Sequence, residues 1–404
     1  MSSRTGHFTS AGGSPGAGHR AHRAHRAHRW IGTAAALAAA AGCAASPAAA
    51  GPSRPAAADS TARTPAAAAS VTTATGAAIS ITRKVAAAST TIPGAGNCPV
   101  FPASNVWNTN ISGLPVSTYS AAWLASMSSA TTFLHPDFGP NEGGYPYGIP
   151  FTVVTSQTPA VHLTFKYASE SYQGPYPFGP GTAIEGGASA PPDTDRHAIM
   201  LNRSTCTLYE LWQARYAASG STAGSGAMWH LRSNALRPAG WTSADAAGLP
   251  ILPGLLDYAQ VQRAVRTGRP ITHAIRFTAD HTAAAYLWPA RHEAGSGSIA
   301  QYPPMGARFR LSAGFSVGRF CSDSEPYCSD AKAVLTEMKN YGLILADNGS
   351  NWYFQGAAYP QWPDALVSLL KQIPARDFEA VDESCLMVSP GSGRARARPG
   401  CPIG

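Results

Sequence analysis

Two neighbouring runs decide the fold: His197-Ala198-Ile199-Met200-Leu201 and Thr207-Leu208-Tyr209-Glu210-Leu211-Trp212. Both are short and rich in aliphatic, β-branched and aromatic residues, which is typical of strands that pack on at least one face. Comparable runs recur on both sides, at residues 150–154, 160–165, 272–277, 308–311 and 343–346. Clusters of Gly, Pro, Asn and Asp separate them, as turns require. The chain is therefore predicted to be mainly β, as an antiparallel β-sandwich or jelly-roll-like domain with a few covering helices.

Three helices are predicted among these strands. The clearest covers Asp330–Tyr341, where apolar residues recur at helical spacing, Ser329 can cap the start and Gly342 can end the helix. The second is predicted around Leu255–Val265 and the third at Ala365–Lys371.

The ends of the chain have a different composition from its centre. Residues 1–43 combine a basic stretch, a short alanine-rich apolar run and a possible lipobox ending at Cys43, which is the order of a secretory signal. The apolar run is shorter than the roughly 20 residues that cross a bilayer. Residues 44–93 are mostly Ala, Pro, Ser and Thr, which predicts a disordered linker. A single globular domain is expected at 94–390, followed by a basic tail at 391–404.

This organisation predicts an extracellular protein, either freely secreted or lipid-anchored to the outer face of the plasma membrane. Ordinary signal-peptidase cleavage is the alternative to lipidation, because Ala40 stands where a lipobox usually has leucine.

The positive charge of the chain belongs to its ends. The whole chain carries a net charge of +8, but residues 1–93 hold nine Lys/Arg and one acid, and the tail holds three arginines, which leaves −3 for residues 94–390. A nucleic-acid-binding domain carries its basic surface on itself, so nucleic acid is not an expected partner.

Cysteine usage also indicates export. Apart from Cys43, six of the seven cysteines remain, an even number that suggests disulfides in an oxidising compartment. Cys321 and Cys328 are close in sequence and are the predicted local pair. A zinc site is disfavoured because no two cysteines have the spacing of a zinc motif.

Several polar and aromatic stretches, together with Pro303–Leu311, resemble a family of secreted bacterial proteins. The resemblance covers most of residues 98–382 and implies secretion but no particular activity. In addition, Tyr353–Gln361 is similar to a strand motif of jelly-roll alginate lyases, with Gln355 in place of the motif's lysine. The other motifs of the lyases are missing.

Candidate catalytic residues lie where predicted strands meet loops rich in glycine or proline: Glu185, Asp195, His197, Arg276 and His292. Paired carboxylates can divide the acid and base roles of glycoside cleavage. A histidine beside an arginine can accept a proton while the arginine binds a substrate carboxylate. Structural roles remain open for each of them: loop acids that cap turns, and sheet histidines that hydrogen-bond to the backbone. A site in which His197, His273 and His292 bind a metal is a further alternative.

Candidate substrate-binding residues are predicted in the adjoining loops, because flat aromatic faces stack well on sugars. They are Trp241, Asp245, Asn348, Trp352 and Tyr353. The predicted function is an extracellular carbohydrate-active protein, either a glycoside hydrolase or a polysaccharide lyase, with a polysaccharide or cell-wall glycan as partner and no cofactor. The alternatives are a non-catalytic glycan-binding surface protein and a histidine–metal hydrolase.

Overall fold

The structure is a computed structural model that describes residues 90–142 and 144–396. The predicted signal peptide, the lipobox cysteine, the linker up to residue 89 and the end of the tail lie outside the described residues. None of the described helices is both long and apolar enough to cross a membrane.

The described residues form four helices and sixteen strands, and the predicted mainly-β class is confirmed. The helices are α1 (Ser120–Ser126), α2 (Tyr258–Thr267), α3 (Cys328–Asn340) and α4 (Asp364–Leu370). The strands are β1 (His135–Asp137), β2 (Gly139–Glu142), β3 (Tyr145–Tyr147), β4 (Phe151–Val154), β5 (Leu163–Phe165), β6 (Ala198–Asn202), β7 (Thr207–Trp212), β8 (Ser221–Ala223), β9 (Ser225–His230), β10 (Ile275–Ala279), β11 (Arg308–Leu311), β12 (Leu343–Asn348), β13 (Tyr353–Gln355), β14 (Phe378–Val381), β15 (Met387–Ser389) and β16 (Ser392–Ala395).

Two larger sheets organise the fold. A six-stranded sheet has the order β1-β13-β10-β12-β11-β14, and a four-stranded sheet has the order β4-β6-β7-β9. The expected antiparallel pairing fails at four pairs, β1–β13, β4–β6, β5–β8 and β10–β12, which are parallel. Parallel neighbours need a long crossover, and the segments of chain that join these pairs are long enough to provide one.

Both faces of the four-stranded sheet are buried, which explains the continuous apolar run in β6. Ile199 and Leu201 face the main hydrophobic core, whereas Ala198 and Met200 face a smaller cluster with Tyr176 and other aromatic residues. Side chains alternate between the faces of a strand, so a strand that is covered on both sides is apolar throughout.

The helices confirm the predictions with shifted ends. α3 begins two residues before the predicted start, after Tyr327 and not after a Ser329 cap. α2 begins after Asp257, whose side chain accepts a hydrogen bond from the Ala259 N–H at 2.7 Å. α1 was not predicted. β16 shows that the segment predicted as a tail begins with an ordered strand.

The described disulfides include one local bond and one bond between distant segments of the chain. The predicted local bond between Cys321 and Cys328 is confirmed, and Cys98 is joined to Cys206 across a sequence separation of 108 residues. Cys385 is disulfide-bonded as well.

Candidate active site

A polar cleft of about 350 Å³ opens where ends of strands from both large sheets come together. It is bordered by the end of β12, the end of β7, the residues before β6 and a loop at 242–246. Its volume suits a small ligand or one to two sugar units. Carboxylates and aromatic rings dominate its lining: Tyr167, Glu170, Asp195, Trp212, Asp245 and Asp347, with His292 and Asn348 beside them.

Asp245 lies at the bottom of the cleft and is held by Arg276 of β10. The guanidinium makes two parallel hydrogen bonds to the carboxylate, Nε to Oδ2 at 3.0 Å and Nη2 to Oδ1 at 2.7 Å. The side chain of Asp245 is 0% exposed, and that of Arg276 is also buried. Such a bidentate contact fixes the orientation of the carboxylate. Arg276 therefore acts on the carboxylate and not as the substrate clamp that was predicted.

Asp347 lies beside this pair because of an irregularity in β12. Phe277 pairs with Leu345, but the next residue of β10, Thr278, pairs with Asp347, so that Ala346 is an extra residue in the ladder. A bulge of this kind shifts the following side chains to the opposite face of the strand. Asp347 therefore faces the same side as Arg276, and its Oδ2 is 3.8 Å from Arg276 Nη2.

The carboxyl group of Asp347 interacts with that of Asp245. Burial and the neighbouring charge of Asp245 raise the pKa of Asp347 well above its ordinary value, and the charge of Arg276 opposes this rise. Because 28% of the Asp347 side chain remains exposed, this carboxyl group can reach a ligand in the cleft. Two neighbouring carboxylates do not both ionise easily, so the charge of Asp245 favours the protonated form of Asp347.

Glu185 and His197 form a second pair behind the cleft. His197 Nδ1 is 2.6 Å from Glu185 Oε2, and Nε2 is 3.1 Å from the carbonyl oxygen of Ala244. Both ring nitrogens face oxygen acceptors, so both carry a proton. Burial lowers the pKa of His197, but the Glu185 carboxylate raises it by more, to a net value of about 9. His197 is thus an imidazolium that fixes the residue before Asp245, which is a positioning role.

Glu210 supports the other end of the loop that carries Asp245. Its fully buried carboxylate accepts hydrogen bonds from the N–H groups of Ile251 and Leu252, at 2.8 Å to each. Burial raises its pKa to about 7. The loop is therefore held by a buried ionisable group at both ends.

Asp195 and Trp212 form one wall of the cleft. The indole Nε1–H of Trp212 donates to Asp195 Oδ1 at 3.0 Å, and the Trp212 ring stacks on Tyr167 with the ring centroids 6.3 Å apart. Asp195 is exposed to solvent. This wall combines a flat aromatic surface with a carboxylate at the edge of the indole.

Glu170 and His292 lie at the opposite side. The Thr242 N–H donates to Glu170 Oε2 at 3.1 Å, and His292 Nε2 is 4.0 Å from the same oxygen. The other ring nitrogen of His292, Nδ1, is 2.8 Å from the carbonyl oxygen of Ala246. His292 thus lies between the Ala246 carbonyl oxygen and the Glu170 carboxylate at the edge of the cleft.

Three of the predicted substrate-binding residues lie outside the cleft. Trp352 is 0% exposed and packs against Phe277 and Phe309 in the main core, so its prediction as a sugar-binding residue is wrong. Tyr353 stacks on His135, with 4.0 Å between the ring centroids. Trp241 lies against the guanidinium of Arg237, at 5.4 Å.

The predicted residues that the structure brings together are Glu185, Asp195, His197, Asp245, Arg276, His292 and Asn348. Sequence reasoning missed Asp347, Glu170, Trp212 and Glu210 as site residues. Asp347 precedes Asn348, which was selected, so the polar end of β12 carried a usable signal. Nothing in the sequence marks Glu210, because its partners lie about forty residues further along the chain.

A larger cleft of about 610 Å³ lies on the other side of the Ile184–Gly187 loop. It is lined mainly by apolar and glycine residues and by Tyr145 and Tyr359, and no charged side chain of the described residues faces it. The chemistry of the described residues is therefore concentrated in the smaller, polar cleft.

Comparison with known proteins gives no relative: no family model, curated protein or solved structure matches this chain. Within residues 90–142 and 144–396, no three His, Cys, Asp or Glu side chains are grouped so that they could hold a metal ion. His273, the third histidine considered for such a site, is buried against Gln260, with Nε2 at 2.9 Å from Oε1.

Proposed function

We propose that the protein is an extracellular glycoside hydrolase in which Asp347 is the general acid. The observation that carries this proposal is the carboxyl pair of Asp245 and Asp347 at the bottom of the cleft, where Arg276 fixes the first group and burial raises the pKa of the second. Cleavage of a glycosidic bond needs a carboxylic acid that is still protonated near neutral pH.

Asp195 is the proposed base. It is the exposed carboxylate of the cleft, it influences the protonation of Asp347, and the indole of Trp212 orients it. In the proposed reaction Asp347 gives its proton to the glycosidic oxygen as the bond to the anomeric carbon breaks. A water molecule forms the new bond to that carbon and gives its proton to Asp195, and the proton returns to Asp347 through solvent.

The aromatic wall supports a sugar as the substrate. Trp212 and Tyr167 present stacked, partly exposed rings next to the carboxylates. Flat aromatic faces provide large contact area at little entropic cost, and the adjoining oxygens can accept hydrogen bonds from hydroxyl groups.

The charge of the cleft favours hydrolysis over elimination from a uronate. A lyase must neutralise the substrate carboxylate and the negative charge that develops beside it. No lysine or arginine of the described residues lines this cleft, and Arg276 is enclosed behind Asp245. The disulfides fit the proposed extracellular location, because such bonds persist in oxidising compartments.

The test is a screen of neutral and amino-sugar polysaccharides for new reducing ends. Asp347→Asn and Asp195→Asn are expected to lower the rate at least about 10²-fold while melting stays within a few degrees. Asp193→Asn is the matched control, because Asp193 is exposed in the same loop and does not line the cleft.

Retention of full activity by Asp347→Asn would overturn the assignment. Binding of a glycan without any turnover by the unmodified protein would instead support the alternative of a non-catalytic glycan-binding protein.

A further inference from the structure

We infer that the cleft selects glycans that carry free amino groups, that is, cationic amino sugars, and that Glu170 is the residue that determines this selectivity. This inference rests on the proposed function and specifies its substrate class.

The first step is the balance of charge around the cleft. Asp245 is compensated by Arg276, and Glu185 is compensated by His197. The charge of Asp245 and burial both favour the neutral form of Asp347. The carboxylates of Glu170 and Asp195 face the cleft without a lysine or arginine partner among the described residues.

The cations nearby are already engaged elsewhere. Arg237 donates from Nε to the carbonyl oxygen of Thr242 at 2.9 Å, and its Nη2 donates to the backbone oxygen of Glu170 and not to the carboxylate. Lys166 lies over the ring of Tyr167, with Nζ 5.1 Å from the centroid, and does not line the cleft. His292 Nε2 is 4.0 Å from Glu170 Oε2, so among the described residues the Glu170 carboxylate has one distant histidine contact and no ion pair with a lysine or arginine.

The second step is where Glu170 lies relative to the aromatic wall. Glu170 follows Tyr167 by three residues, and its Oε2 is fixed by the Thr242 N–H at 3.1 Å. Asp195 lies at the edge of Trp212 and has the proposed catalytic role. When a sugar stacks on this wall, the Glu170 carboxylate is a second acidic group that can bind a substituent of the sugar ring. An ammonium group is the substituent that a fixed carboxylate without a lysine or arginine ion pair binds better than a hydroxyl or an acetamide group.

The experiment measures binding to the acid-deficient Asp347→Asn protein by calorimetry. Its probes are three tetrasaccharides that differ at carbon 2: the glucosamine tetramer, the N-acetylglucosamine tetramer and cellotetraose. At low salt the amine is expected to bind about three- to tenfold more tightly than cellotetraose, and this advantage should shrink at high salt because the charges are partly exposed.

Glu170→Gln in the same background is expected to lower the affinity for the glucosamine tetramer more than that for cellotetraose and so to remove the preference, because Gln can still accept the Thr242 N–H but carries no charge. An unchanged preference in this variant, or no preference in the parent, overturns the inference. If the unmodified protein hydrolyses neutral glycans while the amine has no advantage, the inference alone fails. If it neither binds nor hydrolyses any glycan, the proposed function fails as well.

Discussion

Burial raises the pKa of Asp347 most, the charges of Asp245 and Asp195 raise it further, and Arg276 lowers it. Replacing Asp245 with Asn removes the charge that opposes ionisation and leaves Arg276 without its partner, and both changes lower the pKa of Asp347. A general acid must be protonated, so the high-pH limb of the rate profile should move to lower pH. Titration of the Asp347 carboxyl carbon by NMR measures the same change without activity. If the titration of the Asp347 carboxyl carbon does not move in this variant, the proposed influence of Asp245 on the pKa of Asp347 is wrong.

His197 leads to a prediction about stability. Its pKa of about 9 in the folded protein exceeds the value of 6.5 in the unfolded chain. The pair with Glu185 therefore stabilises the fold fully below pH 6.5, and this contribution is lost as the pH rises through 9. Glu185→Gln is expected to cost about 2–3 kcal/mol in urea unfolding at pH 6 and much less at pH 9.5. The control variant Asp193→Asn, in the same loop, should show no dependence of stability on pH. If the loss caused by Glu185→Gln is the same at both pH values, His197 is not an imidazolium.

At the level of the elements, α3 buries an acid that has no hydrogen bond. Glu337 is 0% exposed, and both of its carboxyl oxygens lack a partner among the described residues. His273 Nδ1 is 3.6 Å away, but burial lowers the pKa of His273 to about 4, so this histidine is neutral and does not compensate the acid. Burial raises the pKa of Glu337 well above its ordinary value.

A buried acid with a raised pKa stabilises the fold below its unfolded pKa and loses that contribution as the pH rises through the folded one. Glu337→Gln cannot ionise, so at pH 9 it should be more stable than the parent by roughly 1–3 kcal/mol, with a smaller difference at pH 6. The measurement is the midpoint of urea unfolding at both pH values. Glu325→Gln, exposed in the loop before α3, is the control. A variant that is equally destabilised at both values would indicate a hydrogen-bond partner for Glu337.

The elements also show what the sequence could predict. The runs at 207–212 and 308–311 coincide with β7 and β11, because apolar periodicity is a local property. The parallel pairing of β10 with β12 is a contact between distant segments, and no local pattern encodes it. The same is true of the bulge at Ala346, which is why Asn348 was selected from the sequence and Asp347 was not.

Trp352 shows the opposite kind of error. Its position in a polar, glycine-containing loop predicted a solvent-facing ring, but its backbone has φ of 64° and turns the indole into the core, where Nε1 donates to the Met127 carbonyl at 3.0 Å. Composition of a loop does not determine which way a large aromatic side chain points, since burial of its area outweighs the polarity of its neighbours.

At the scale of the whole molecule, the two disulfides whose partners are described constrain very different lengths of chain. Cys321 and Cys328 are separated by 7 residues, whereas Cys98 and Cys206 are separated by 108 and connect the segment before α1 to the turn between β6 and β7. The first bond was predictable from spacing alone. The second was not, because its closure depends on how the four-stranded sheet packs against the N-terminal segment.

The loop lengths predict unequal contributions to stability. A cross-link removes more conformational freedom from the unfolded chain when the loop is longer, so loss of the Cys98–Cys206 bond should cost about 4–5 kcal/mol and loss of the Cys321–Cys328 bond about 2–3 kcal/mol. The double variants Cys98→Ser/Cys206→Ser and Cys321→Ser/Cys328→Ser are matched controls for each other in thermal and urea unfolding. Equal losses would show that local packing at the bonds, and not the freedom of the unfolded chain, sets their contribution. A larger loss of stability without the Cys321–Cys328 bond would mean that this bond stabilises the segment before α3 by more than the Cys98–Cys206 bond stabilises the domain.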